Sequence, residues 1–170
     1  MWRVNLGGGS YEQGDASGIE DKSRRAESYL TSTGTLDWTK CEGQRYFLER
    51  AKNYGCPSIV LFSNTPPVQY TYNNKGFSAR GGVSNLKSEH YGDFAKYMAK
   101  VAQYYISQGY PVTDISPVNE PQYNWESGQE GSGWTNDEVA RLARELDSQL
   151  TAHNLSTKIL LGESGDWQYL

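Results

Sequence analysis

The stretch Asp114–Gln122 reads DISPVNEPQ, and it decides how the chain around it is organised. The β-prone run Val112–Val118 predicts a strand, and Pro121 ends it because proline has no N–H to donate. Glu120 is therefore expected at the carboxyl end of a strand, where a loop begins. A carboxyl group there, beside aromatic and amide side chains, suits a general acid. The tripeptide Asn119-Glu120-Pro121 also fits an ordinary loop carboxylate beside a turn proline.

Strands and helices alternate on both sides of this stretch. Three further strands are predicted over Trp2–Leu6, Pro57–Phe62 and Thr157–Leu161, and three helices over Glu42–Tyr54, 89–107 and from Thr135 onward. Strands that alternate with helices of this length predict parallel pairing with right-handed crossovers. Long polar loops follow the strands, whereas the links from helix to strand are short.

This asymmetry favours a (β/α)8 TIM barrel, in which the site is built from the loops after the strands. A doubly wound open sheet is the rival, but it more often carries a glycine fingerprint at its first βα turn. Four strands with three helices amount to half of a barrel. We therefore predict a partial (β/α)8 barrel, with residues 1–170 as one incomplete catalytic domain.

Three local patterns refine the helices. An apolar face is predicted for the first helix from Tyr46, Phe47, Leu48 and Ala51. Ser88 is predicted to cap the second helix. Thr135 with Glu138 three residues later forms the pattern of a capping box, which predicts the start of the third helix.

Composition excludes several function classes. The net charge of −4 gives no basic footprint for nucleic acid, and no apolar run is long enough to span a membrane. Cys41 and Cys56 flank a predicted helix that separates them by roughly 20 Å, so they are interpreted as free thiols. No cysteine–histidine cluster has metal-ligand spacing, and neither a metal nor a cofactor is expected. The 13 Tyr and 5 Trp, many of them in polar loops, suit stacking on sugars, although single aromatic residues equally serve packing.

Five segments carry a resemblance to a known family. Taken in order, Trp2–Ser10, Phe62–Pro67, Ile115–Trp125, Gln129–Gly131 and Leu160–Glu163 resemble glycoside hydrolase family 30, in particular its endo-β-1,6-galactanase-like branch. Each motif is weak alone, but the ordered set is specific and covers essentially the whole chain.

The resemblance implies a retaining hydrolase of a β-linked glycan. Glu120 matches the family's general acid/base, and Asn119 matches the asparagine that binds the hydroxyl next to the anomeric carbon. Asn64 and Ser10 fall where the family lines the glycone subsite. The remaining strand-end residues are implied sugar contacts: Trp125, Tyr123, Glu163 and Trp167. A polysaccharide or oligosaccharide is the implied partner, and secretion is implied for a full-length protein.

One departure from the family pattern matters. The family's nucleophile is a glutamate at the end of strand seven, whereas this chain matches strands two to five and lacks the family's β-sandwich. A retaining mechanism needs two carboxyl groups about 5 Å apart. Glu163 is a candidate for the second, but the family places that role elsewhere, so the isolated chain is expected to be inactive.

Several alternatives stay open. The chain could be a non-catalytic carbohydrate-binding fragment, and β-1,6-glucan or xylan could replace galactan as the substrate. Open sheet edges and apolar strand faces also predict that the fragment associates with itself.

Overall fold

Four parallel strands form the centre of the molecule, whose computed structural model describes residues 1–169. They are β1 (Trp2–Asn5), β2 (Ile59–Phe62), β3 (Val112–Ser116) and β4 (Lys158–Ile159). Their order in the sheet follows the chain, β1-β2-β3-β4, and each neighbouring pair is parallel. The predicted α/β architecture with a parallel sheet is confirmed.

Three helices share one apolar core with the sheet. They are α2 (Glu42–Asn53), α3 (Tyr91–Ser107) and α4 (Asn136–Ala152). Leu48, Met98 and Leu146 are fully buried in the same cluster as Leu61 and Ile115. Because side chains alternate along a strand, the intervening residues lie on the opposite face of the sheet. This second face of the sheet carries Arg3 of β1, which supplies part of the site.

Of the two predicted helix caps, the one at α4 is present and the one at α3 is not. The capping box at α4 is present: the Thr135 hydroxyl accepts from the Glu138 amide at 3.3 Å, and the Glu138 side chain accepts from the Thr135 amide at 2.9 Å. The prediction that Ser88 caps α3 was wrong. Ser88–His90 form a 3-10 turn, and the Ser88 hydroxyl accepts instead from Arg141 at 2.9 Å. Helix α3 begins without a side-chain cap.

The apolar face predicted for α2 was also partly wrong. Leu48 is its only buried residue, whereas Tyr46 and Phe47 are more than half exposed. Phe47 stacks on Trp2 with ring centroids 6.1 Å apart, at the outer side of β1. A single short strand cannot cover a whole helix face, so the aromatic residues pack on each other instead.

The last strand is shorter and more exposed than its sequence suggests. Only Lys158–Ile159 pair with β3, and Leu160 and Leu161 are 41% and 46% exposed. The three apolar residues Ile59–Leu61 in β2 are buried, whereas Leu160 and Leu161 after β4 are not. In the described residues β4 is an edge strand, so nothing covers its outer side.

The long connection after β1 is more ordered than its polar sequence indicates. It contains the short helix α1 (Ser10–Gln13) and 3-10 turns at Gly14–Ser17 and Lys22–Arg24. Cys41 and Cys56 are both free thiols, as predicted. No helix among the described residues is long and apolar enough to cross a bilayer.

Candidate functional site

Glu120 lies where the loop after β3 meets the loop after β4. Its amide donates to the Glu163 carbonyl at 2.9 Å, which joins the two loops. Its φ of 43° is in the left-handed region, which is uncommon for a residue with a side chain and is often found at functional sites. Within the described residues its carboxyl oxygens accept no hydrogen bond from the protein. The carboxyl is therefore held by its backbone and remains free to meet a ligand.

Arg3 connects β1 to this site from the second face of the sheet. Its guanidinium donates to Glu163 Oε2 at 3.1 Å and to Asn119 Oδ1 at 3.4 Å. It also lies 4.1 Å from the centre of the Phe62 ring on β2. Asn119 and Glu163, which the sequence proposed separately, are thus brought together around one cation.

Gly165 packs closely against Glu120 and Gln122. A Cβ placed on Gly165 would lie 2.7 Å from Glu120 Oε1 and 2.9 Å from Gln122 Nε2. Both distances are shorter than real Cβ contacts, so a side chain at position 165 would displace Glu120 or Gln122. Both polar atoms of the Gln122 amide are buried and have no partner in the described residues. Such groups are rare in folded proteins and point to a missing partner.

The aromatic residues after β3 divide into two kinds. Trp125 donates its indole N–H to the Glu120 carbonyl at 3.0 Å, and its ring covers Gly131, where a Cβ would approach within 2.3 Å. Tyr123 meets Trp125 edge-on at 5.8 Å and is 43% exposed. Trp167, after β4, is 85% exposed. Trp125 therefore shapes the loop, while Tyr123 and Trp167 offer free ring surface.

Ser10 is held by a buried carboxylate from the other side of the site. Glu130 accepts from the Ser10 hydroxyl at 2.6 Å, the Ser10 amide at 3.0 Å and the Gly8 amide at 2.9 Å. Ser10 is fully buried, and its hydroxyl also accepts from Ala26 N at 3.1 Å. Burial raises the pKa of the Glu130 carboxyl above its ordinary value, and the three donors oppose that change. The hydroxyl expected to line the glycone subsite is thus used inside the protein.

Asn64 follows β2 and is half-buried in the same ring of strand-end loops. Its side chain makes no hydrogen bond to the described part of the protein. Among the predicted residues, Glu120 is bonded to Glu163 through the backbone, and Asn119 is linked to Glu163 through Arg3.

Sequence reasoning missed Arg3, Glu130 and Gln122. Arg3 could have been found, since a cation alternating with apolar residues in a short strand marks the second sheet face. Glu130 could not, because its partners lie 120 and 122 residues away. No group of three or more potential metal ligands occurs among the described residues.

The chain is similar to known proteins in both sequence and structure. The model of O-glycosyl hydrolase family 30 matches residues 1–170. An endo-β-1,6-galactanase from Hypocrea rufa is 30% identical over 131 residues, which covers 74% of this chain and 27% of that protein. The chain therefore spans about a quarter of the curated relative that it matches.

Two solved structures share the fold. The crystal structure of a conserved exported protein from Bacteroides fragilis is 37% identical, with a TM-score of 0.96, over 99% of this chain and 35% of that one. A family 30 subfamily 8 xylanase from Clostridium acetobutylicum is 19% identical, with a TM-score of 0.67, over 95% of this chain and 34% of that one.

Proposed function

Because this chain belongs to O-glycosyl hydrolase family 30, we propose that it is the part of a (β/α)8 catalytic domain that supplies the proton donor of a retaining glycosidase. The parallel four-stranded sheet, covered by helices on one face, supports the barrel. The chain's match to about a third of each solved relative supports a partial domain.

Glu120 is the proposed general acid/base. The observation that carries this assignment is a carboxyl group without protein partners, fixed at the meeting of two strand-end loops by a backbone with φ of 43°. A proton donor needs that combination of fixed position and free oxygen atoms. Gly165 supports the assignment, because a side chain at that position would come within 2.7 Å of Glu120 Oε1 and displace the carboxyl group.

Asn119 and Arg3 are proposed to orient the sugar and the second carboxyl group. Asn119 Oδ1 is engaged by Arg3, which leaves the amide N–H groups of Asn119 to donate to a sugar hydroxyl. The Glu163 carboxylate is paired with the same arginine, and its side chain is only 16% exposed. This pairing favours a supporting role for Glu163, so we propose that the nucleophile lies outside residues 1–170.

β-1,6-Galactan is the proposed substrate, supported by the similarity to the Hypocrea rufa galactanase. Asn64, Tyr123, Trp125 and Trp167 are proposed sugar contacts, and Ser10 is proposed to act indirectly by fixing its loop through Glu130. Xylan is an alternative, since a relative with the same fold is a xylanase.

Substitution of Glu120 tests the proposal in a full-length protein that contains this chain. Glu120→Gln should lower turnover of galactan at least about a hundredfold, the lower range for general acid catalysis. The loss should be smallest on aryl galactosides with good leaving groups, which need no protonation. Glu126→Gln, in the same loop and exposed, is the matched control. An equal loss on good and poor leaving groups would exclude the acid role.

A second function is sugar binding without hydrolysis. It is favoured by the exposed rings of Tyr123 and Trp167, and by the pairing of Glu163 with Arg3, which among the described residues leaves Glu120 as the unpaired carboxyl group of the site. A mechanism-based covalent glycosyl inhibitor separates the two functions. Labelling of a glutamate in the full-length protein supports hydrolysis, whereas sugar binding without labelling supports the binding function.

A further inference from the structure

A cavity of about 430 Å³ lies between the connection after β1 and the connection after β2. Both connections leave the carboxyl ends of parallel strands, so the cavity opens at the same end of the sheet as Glu120. Neither Asn64, Asn119 nor Glu120 lines it. It is therefore distinct from the proposed site of bond cleavage. Its volume is within the range of small-molecule sites, about 300–1,000 Å³.

An ion pair forms one wall of this cavity. Lys40 Nζ donates to Glu12 Oε1 at 2.5 Å, and the same oxygen accepts from the Ser28 amide at 3.2 Å. Glu12 Oε2 accepts no hydrogen bond from the described residues. The two side chains retain 21% and 32% of their exposure. Because the charges cancel, the wall offers polar atoms without attracting either an anion or a cation.

Two fixed amides form another wall. Gln13 donates to the Asn74 carbonyl at 2.7 Å, and Gln69 donates to the Thr31 carbonyl at 3.1 Å. The carboxamide oxygen of each is buried and has no partner in the described residues. A small turn of either side chain toward the cavity would let that oxygen accept from a ligand hydroxyl. Because Gln13 and Gln69 both line the cavity, a ligand with hydrogen-bond donors can supply the partner that each oxygen lacks.

We propose that this cavity binds one neutral pyranose unit of the glycan, as a subsite separate from the point of cleavage. Sugar hydroxyl groups can donate to Gln13, Gln69 and Glu12 Oε2 and accept from Lys40. Leu30 and Val68, which also line the cavity, can contact the C–H face of the ring. No aromatic residue lines it, which disfavours a nucleobase. The proposal rests on the proposed function in one respect, that the substrate is a glycan.

Titration of the full chain with methyl β-D-galactopyranoside tests the subsite by NMR. We expect the side-chain amide signals of Gln13, Gln69 and Asn74 to shift in proportion to occupancy. Gln69→Leu and Lys40→Met each remove a hydrogen-bonding group from the wall, and each should weaken binding about tenfold. Gln103→Leu, an exposed glutamine on α3, is the matched control and should bind as the wild type does. Absence of these shifts, or an unchanged affinity in both cavity variants, would overturn the proposal.

The same titration on Glu120→Gln separates this inference from the proposed function. The cavity signals should shift unchanged, since Glu120 does not line the cavity. In a full-length protein, Lys40→Met should raise KM for long galactan about tenfold and leave KM for an aryl galactoside unchanged. A rise in KM for both substrates would contradict a separate subsite. Failure of the proposed function would instead appear as turnover that persists in Glu120→Gln.

Discussion

Removal of the Glu130 carboxylate should destabilise the fold strongly, because three donors depend on it. Glu130→Ala leaves the buried amides of Gly8 and Ser10 without an acceptor. Each orphaned donor costs about 1–3 kcal/mol, and relief from burying a charged carboxylate offsets part of the sum. We expect a net loss of about 3 kcal/mol in the free energy of unfolding, measured by urea denaturation.

A double-mutant cycle with Ser10 tests whether this loss comes from the contact itself. Ser10→Ala removes a 2.6 Å charge-assisted bond and should cost about 2 kcal/mol. Because both substitutions break one network, the double variant should be less destabilised than the sum of the two, with a coupling of about 1–2 kcal/mol. Glu126→Ala, an exposed glutamate of the same loop, should change stability by less than about 0.5 kcal/mol. Additive losses, or a loss below about 1 kcal/mol in Glu130→Ala, would refute the reasoning.

Three further outcomes are expected. Burial raises the pKa of Glu130 in the folded state above its unfolded value near 4.5, so the folded state binds the proton more tightly than the unfolded state does. The free energy of unfolding should therefore fall as pH rises through the folded pKa. A pH series of urea melts should show this fall in the wild type and not in Glu130→Gln; parallel curves would contradict it. Gln122→Leu should leave the melting temperature unchanged or raise it, because the Gln122 amide has no partners to lose among the described residues. The same substitution should lower turnover in a full-length protein. A clear loss of stability would show that the amide is paired. The isolated chain should associate in light scattering, because the edges at β1 and β4 are unpaired and Leu161 is 46% exposed, and Leu161→Lys should shift it toward monomer. A wild-type monomer with a cooperative melt would count against that expectation.

Periodicity and spacing predicted the features that depend on neighbours in the chain. The helix predicted over 89–107, the capping box at Thr135 and the strand that ends before Glu120 are set by residues a few positions apart. Features that depend on residues distant in the chain were not predicted. Tyr46 and Phe47 looked apolar at helical spacing, but only tertiary packing decides whether β1 can cover them.

The candidate site shows the same division. Glu120 was proposed from its position after a predicted strand, whereas Asn119 and Glu163 were proposed from the resemblance to the family. Their meeting with Arg3 required the sheet, which places β1 two strands away from β3 on a common face. The proposal that Ser10 anchors its loop required knowledge of Glu130, which nothing in the local sequence marks as buried.

The bond between Glu130 and Gly8 also has a consequence for the order of folding. It joins residues 122 positions apart, beyond the whole of β2, α3 and β3. Closure of so long a loop is slow, so this contact should form only after β1, β2 and β3 have aligned. The amide protons of Gly8 and Ser10 should accordingly exchange with solvent only when the entire β1–β3 unit opens. Two backbone protons thereby become reporters of the cooperativity of the sheet.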